Sequence, residues 1–182
     1  MPEDRRTAIL DAAIAVIARR GVRGFRVEQV AAEADVAVSL LYYYFRSRNG
    51  LVRATLEHAN ERAARTARAG DGAAPILLAE LDDAEGVRET SVVWGEVLAS
   101  AVFEPELREQ LRDASAAWVD LVAEAIARDD AIPDTVDPEA SAERLTALVD
   151  GLSARWLAGL MTRERARELL ADAIAAELSA SP

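Results

Sequence analysis

The sequence predicts an all-α fold, and three observations predict it. Apolar residues recur every three to four positions through most of the chain. Alanine and leucine, two strong helix formers, supply most of the bulk of the 51% of residues that are apolar, while only 5% are aromatic. No segment sustains the two-residue alternation of a half-buried strand. At 182 residues the chain can fill one generous domain, or one small and one medium domain, with a real core in either case.

The first helix is expected over residues 5–20, where Ile9, Ala13, Val16 and Ile17 fall at helical spacing, with Gly21 and Gly24 punctuating the chain behind it. A second helix should cover residues 27–34, a turn 35–37, and a third helix 38–45. In the third, Val38, Leu41 and Phe45 stand at i, i+3 and i+7 and share the face turned toward helix one. The opposite face is left to solvent or to a partner. Ser47 is placed to cap a fourth helix that runs through Leu51, Val52 and Leu56 to about residue 69. Residues 70–75, rich in glycine and ending in proline, are the clearest break in the chain. Beyond it helices are expected near 75–83, 88–103, 106–129, 138–160 and 163–179. Pro105 and Pro138 suit first helical turns, Asp137 caps the latter, and residues 129–137 read as a loop.

Composition excludes several classes of function. With no cysteine there is no disulfide framework, no thiolate nucleophile and no zinc site built on thiolates. The single histidine, His58, cannot build a His-rich metal site, and it reads either as a pH or motion relay or as a solvated side chain. No secretory signal and no stretch of roughly 20 apolar residues is visible, so a cytoplasmic protein without a membrane segment is expected. A glycine-rich phosphate loop, a nucleophile elbow and a two-histidine helix are all missing, and the many carboxylates suit solvated helix faces, so no enzyme and no cofactor is expected.

The net charge of −11 is unevenly spread. Residues 1–53 hold nine arginines against six carboxylates, a net of +3, which leaves −14 for the rest. That asymmetry fits a DNA-contacting head on a body that DNA would repel, or a chance fluctuation.

The stretch from Phe25 to Leu51 reads FRVEQVAAEADVAVSLLYYYFRSRNGL. Two short helices meeting at a tight angle need small residues at the crossing, which Ala31 and Ala34 supply. They also need a turn residue that tolerates positive φ; Asp35 is among the few non-glycine residues that do. The three tyrosines Tyr42, Tyr43 and Tyr44 span some 200° of a helix, so they cannot all point inward. Val30-Ala31, Val36, Leu41-Tyr42, Tyr44-Phe45, and Ser47, Arg48 and Leu51 together resemble the DNA-binding domain of the TetR family of repressors, over roughly residues 5–56. The segment Asp150-Gly151-Leu152 and the two amphipathic helices around and after it resemble that family's C-terminal region less specifically. Asp35 departs from the family's usual glycine, Arg26 from its usual hydroxyl residue, and Glu28 brings a carboxylate to a position often neutral.

The resemblance implies an N-terminal three-helix helix-turn-helix DNA-binding domain, residues 1–50, plus a C-terminal helical ligand-binding and dimerisation domain, residues 51–182. The third helix then lies in the major groove of a double-stranded operator. Val38, Leu40 and Tyr43 are expected to meet thymine methyls and Ser39 to hydrogen-bond a base edge. Tyr42, Tyr44, Arg48 and Arg26 are expected at phosphates. Two copies one DNA turn apart, about 34 Å, would read an inverted repeat.

In the body, the helix near 106–129 carries an apolar stripe from Leu107 to Ala125 and is expected to be buried along its length. The next has Leu145, Leu148, Val149, Leu152 and Trp156 on one face and Ala147, Gly151, Ala154 and Ala158 on a second, small-residue face. Two faces imply two partners, so the last two helices are expected to form a homodimer's twofold four-helix interface. Trp94, Phe103, Trp118, Trp156 and Met161 are candidates for a small-molecule effector pocket, or are ordinary core. Glu96, Ser100, Asp150 and Arg155 are polar groups that can orient a ligand; Asp150 and Arg155 can equally pair with each other or face water. A ligand-responsive regulator, releasing its operator when an effector binds, is one reading of the whole. A helical interaction module without sequence-specific DNA binding is the other, and a Tyr42→Ala exchange tells them apart.

Overall fold

The computed structural model describes residues 2–68 and 72–179, and among these all regular structure is helical. The helices are α1 (Pro2–Gly24), α2 (Val27–Glu33), α3 (Val38–Phe45), α4 (Arg48–Arg68), α5 (Ala73–Ala79), α6 (Glu85–Ala101), α7 (Pro105–Ala127), α8 (Pro138–Leu157) and α9 (Arg163–Leu178). The expected all-α class holds, and most boundaries fall within a few residues of expectation. The expected end of the fourth helix at residue 69 and most of the 70–75 break lie outside the described residues. The fifth helix starts at Ala73 rather than residue 75, because Pro75 needs no N–H of its own in a first helical turn. α1 runs longer than expected but is interrupted: Gly21, at φ 68° and ψ 169°, leaves helical geometry, and residues 22–24 add one separate turn.

The chain divides into two compact units, Met1–Arg62 with Glu89–Arg112, and Ala63–Arg88 with Asp113–Pro182. Each is discontinuous in sequence.

In the first unit the core gathers Ile9, Leu10, Ile14 and Ile17 of α1, Phe25, Val30 of α2, Leu41 and Phe45 of α3, Leu51 and Leu56 of α4, and Val93 and Val97 of α6. Full burial of such side chains stabilises by about 1.5–3 kcal/mol each, which fixes the short helices α2 and α3, too short to persist alone. Leu41 and Phe45 face inward as the i, i+4 spacing requires, and Val38 packs against the same cluster while half-buried.

In the second unit Ile76, Leu77 and Leu81 meet Val122 and Ile126 of α7, Leu145, Val149 and Leu152 of α8, and Leu170 and Ile174 of α9. Polar ties lock α8 to α9: Glu177 accepts from Ser141 Oγ at 2.8 Å and from the Arg144 guanidinium. Asp137 caps α8 as expected, accepting from the N–H groups of Glu139 and Ala140 at 3.1 and 3.2 Å. Thr162 caps α9, its hydroxyl accepting from Arg165 N–H at 3.2 Å.

One expectation fails here. α7 is not buried along its length: Leu107 at one end and Val122, Ala125 and Ile126 at the other are buried, while Leu111, Ala114, Trp118 and Leu121 are only partly covered. The two ends of α7 serve the cores of two different units, and its middle is enclosed by neither.

Candidate functional site

α2 and α3 are set by a turn whose backbone bonds are fully accounted for. Ala34 N–H returns to Val30 O and Val36 N–H to Ala31 O, both at 2.9 Å, with Asp35 between them at φ 51°. The aspartate thus takes the left-handed conformation that the sequence assigned to it. Ala37 is extended at φ −72° and ψ 141°, turning the chain into α3.

A second positive φ, 65°, falls on Arg46 at the C-terminus of α3. Beside it the Ser47 hydroxyl accepts from Gly50 N–H at 3.0 Å, the cap expected for α4. Gly50 itself is required by space: a Cβ there would stand 2.1 Å from the Phe45 carbonyl oxygen. The α3–α4 corner is therefore as tightly specified as the α2–α3 turn.

The side chains of α3 sort by face. Tyr43 is 67% and Tyr42 45% exposed, and Ser39 is exposed beside them. Val38 and Leu40 are half-buried against the core, and Tyr44 leans on it, its ring edge-on to Tyr43 at 5.4 Å. Arg26 is exposed at the N-cap of α2, where its side chain makes no capping bond, and Glu28 is exposed two residues on. A shallow concavity at the start of α3 is lined by Arg5, Asp35, Val36, Ala37, Ser39, Leu40 and Tyr43. Sequence reasoning missed Arg5 because it lies on α1, 20 positions before Phe25 and 30 or more from the other residues of the concavity; only the fold brings it there.

Arg48 is a correction to the expected phosphate contacts. Its guanidinium points inward, donating to the carbonyl oxygens of Phe25 (3.2 Å) and Val22, with the Phe25 ring 5.7 Å beneath it. It braces the α1–α2 junction, where the Phe25 carbonyl and the Val22 carbonyl, which also accepts from Phe25 N–H at 3.3 Å, lie within reach of α4's first turn. The Val22 N–H, on the other side of the same residue, donates to Glu96 Oε2 of α6 at 2.8 Å.

His58 is a second correction. It is not a solvated histidine: its side chain is 11% exposed and its Nε2 stands 2.9 Å from Asp11 Oδ1, with Arg62 Nη1 3.3 Å from the same oxygen.

The five aromatic and methionine candidates do not form one group. Trp94 and Phe103 belong to the first unit, Trp118, Trp156 and Met161 to the second. Phe103 is 72% exposed just beyond the end of α6, under the Arg23 guanidinium at 5.8 Å, so it lines no enclosed cavity of its unit. Trp94 packs on the core, its indole N–H buried without an acceptor. In the second unit Trp118, Trp156 and Met161 are partly buried against one cluster, with the Arg88 guanidinium 5.6 Å over the Trp156 ring. Burial there also pushes the Glu80 carboxyl up to about 7, helped by the neighbouring charge of Asp150. Arg155, the other polar candidate of α8, is exposed, and Ser100 is buried. Among the described residues no helix is long and apolar enough to cross a membrane, and no cluster of His, Asp and Glu could hold a metal ion.

A short helix held rigidly on its inner face and carrying exposed polar and aromatic groups on its outer face, after a tight turn from a preceding helix, defines a helix-turn-helix DNA-binding protein. Comparison with known proteins agrees. Residues 9–55 match the family model of bacterial regulatory proteins of the tetR family, and residues 69–179 match that of the BetI-type transcriptional repressor C-terminal region. The chain is 29% identical over 171 residues to the HTH-type transcriptional regulator BetI of Burkholderia thailandensis, covering 88% of this chain and 84% of that one. Among solved structures, a TetR-family transcriptional regulator from Rhodococcus sp. is 43% identical with a TM-score of 0.88, covering 97% of this chain and all of the other. A transcriptional regulator from Saccharomonospora viridis, solved in complex with choline, is 25% identical with a TM-score of 0.75, covering 96% of both chains. The chain belongs to the TetR family, with a BetI-type C-terminal region. It is a DNA-binding transcriptional repressor and not an enzyme.

Proposed function

We propose that the protein works in the cytoplasm as a homodimer, lays its two copies of α3 into successive major grooves of an inverted-repeat operator, and releases the DNA when a small organic cation binds its C-terminal part. The observation that carries the DNA half is the division of α3: Leu41 and Phe45 are locked into the core, while Ser39, Tyr42 and Tyr43 are presented outward. Ser39 then hydrogen-bonds a base edge, and Val38, Leu40 and Tyr43 meet thymine methyls. Tyr42, Tyr44 and Arg26, joined by Arg5, take phosphates; Arg48 acts from inside. Functionally, residues 1–50 bind DNA and residues 51–182 dimerise and sense.

Dimerisation through α8 and α9 is supported by the second face of α8. Ala147, Gly151, Ala154 and Ala158 are exposed, and a Cβ at Gly151 would meet nothing within 4 Å. Small side chains there let the helix of a second copy approach closely, giving a twofold four-helix interface.

For the effector, the relative solved with choline points to a quaternary ammonium. Aromatic faces recognise such cations, and in this chain Arg88 already rests a cation on Trp156, with the Glu80 and Asp150 carboxylates in the same unit. A ligand cation would take over the guanidinium's place.

The test is fluorescence anisotropy on an inverted repeat selected from random DNA with this protein, with choline added at rising concentration. Tight, competitor-resistant binding reversed by choline, and not by its uncharged carbon isostere 3,3-dimethylbutan-1-ol, is expected. Binding that choline leaves unchanged would remove the cation from the proposal, and sedimentation as a monomer at micromolar concentration would remove the dimer.

A further inference from the structure

We infer that Glu96 is a positioning residue for DNA binding: from α6, outside the helix-turn-helix, it holds the α1–α2 junction in the one conformation that presents α3 to the groove. The inference rests on the assignment of the first unit as the DNA-binding part.

The need for such a residue is built into α1. At Gly21 the backbone leaves the helix, so Val22 N–H loses its intrahelical acceptor and becomes an orphan donor next to buried Val22 and Phe25. Glu96 Oε2 accepts that N–H at 2.8 Å, across 74 positions of sequence. On the other side, the carbonyl oxygen of the same residue accepts from Arg48. Val22 is thus gripped at both ends by charged side chains, one from α6 and one from α4. Hydrogen bonds to ionised groups are roughly twice as strong as neutral ones, so this peptide is held more firmly than its helix would hold it.

The glycine and the carboxylate fit each other. A Cβ at residue 21 would fall 2.6 Å from Glu96 Oε2, so any side chain there pushes the carboxylate off its donor, besides straining a φ of 68°. Gly21 supplies both the turn and the space. A few residues beyond the gripped peptide α2 begins, and its N-cap Arg26 has no side-chain capping bond of its own, so α2 depends on this junction for its starting direction. α7 adds a weaker brace of the same kind, Glu106 accepting from Asn49 of α4 at 2.8 Å on the exposed surface.

The clamp makes a specific demand on residue 96: an oxygen acceptor at that position, whose charge strengthens the bond. The test compares the full-length protein with Glu96→Gln, Glu96→Ala and Gly21→Ala, reading operator affinity, affinity for random duplex, melting temperature, and amide hydrogen exchange over residues 22–25. The unsubstituted protein's own binding tests the DNA-binding assignment; the ratios between variants test the clamp. Glu96→Ala should weaken operator binding roughly tenfold to a hundredfold, the range that losing a hydrogen bond to a charged group implies. Exchange at 22–25 should rise with it, random-duplex affinity should stay close to the parent, and melting should fall by no more than the few degrees that one lost hydrogen bond implies. Glu96→Gln, which keeps an oxygen acceptor without the charge, should recover part of the affinity, and Gly21→Ala should mimic Glu96→Ala although Glu96 is intact. Equal operator affinity for Glu96→Ala and parent overturns the inference. So does a loss in Glu96→Gln as large as in Glu96→Ala, or a loss that tracks melting temperature across all three variants.

Discussion

Two glycines, Gly50 and Gly151, show how differently the two ends of this molecule are specified. Gly50 sits where any side chain would collide with the Phe45 carbonyl oxygen at 2.1 Å, whereas a Cβ on Gly151 meets nothing. Around Gly50 nearly every residue of unusual geometry has one job: Asp35 and Arg46 take positive φ, Ser47 caps, and Leu41 and Phe45 anchor α3. Along α8 the small residues Ala147, Gly151, Ala154 and Ala158 are all exposed. The lesson is that the DNA-binding corner is fixed by close local contacts, while the small residues on the outer face of α8 stand exposed.

That comparison can be broken at several points, beginning with the largest effect. Gly50→Ala should destabilise the fold by about 3 kcal/mol or more, because backbone rather than a flexible side chain must give way. Gly151→Ala should leave the fold unharmed or up to about 1 kcal/mol more stable, as expected for glycine replaced inside an exposed helix, while weakening dimerisation if that face meets its copy. Thermal melting and sedimentation of the two variants read both effects. An equal loss of stability would end the contrast.

Within α3 the same logic divides the helix by face. Leu41→Ala should cost roughly 2–5 kcal/mol, since the side chain is 1% exposed in a packed core. Tyr43→Ala, at a position 67% exposed, should change stability by no more than about 0.5 kcal/mol.

In the C-terminal part, Glu80 gives a pH signature. Its folded-state value, about 7, lies above the ordinary 4.5, so the folded protein holds a proton that the unfolded chain releases. The stabilisation is present in full below pH 4.5 and is lost as pH rises through about 7, on the order of 1–3 kcal/mol by pH 8. Melting across pH 5 to 8 should show this slope in the parent and a flatter profile in Glu80→Gln. A further effect is local: Asp137→Ala should cost about 1 kcal/mol through the lost cap of α8.

Legibility followed the same divide. The turn at Asp35, the cap at Ser47, the inward pair Leu41 and Phe45 and the cap at Asp137 could be read in advance, because each depends on neighbours within one or two helical turns. Arg48 was misread because its partners, Val22 and Phe25, lie 26 and 23 positions away, and a basic residue beside an aromatic run looks like a phosphate ligand. Arg5, Glu96 and the inward His58 escaped for the same reason: each acquires its neighbours only through tertiary folding. The half-exposed middle of α7 escaped because periodicity reports which face is apolar and not whether one core covers it.

The most direct test of the account is specific DNA binding by Tyr42→Ala/Tyr43→Ala, measured by anisotropy on the selected inverted repeat beside a melting curve. The account predicts that operator affinity falls by at least about a hundredfold toward the random-duplex level, with the melting temperature unchanged within a few degrees. Operator binding that survives the double exchange, or that is lost only together with the fold, would contradict it.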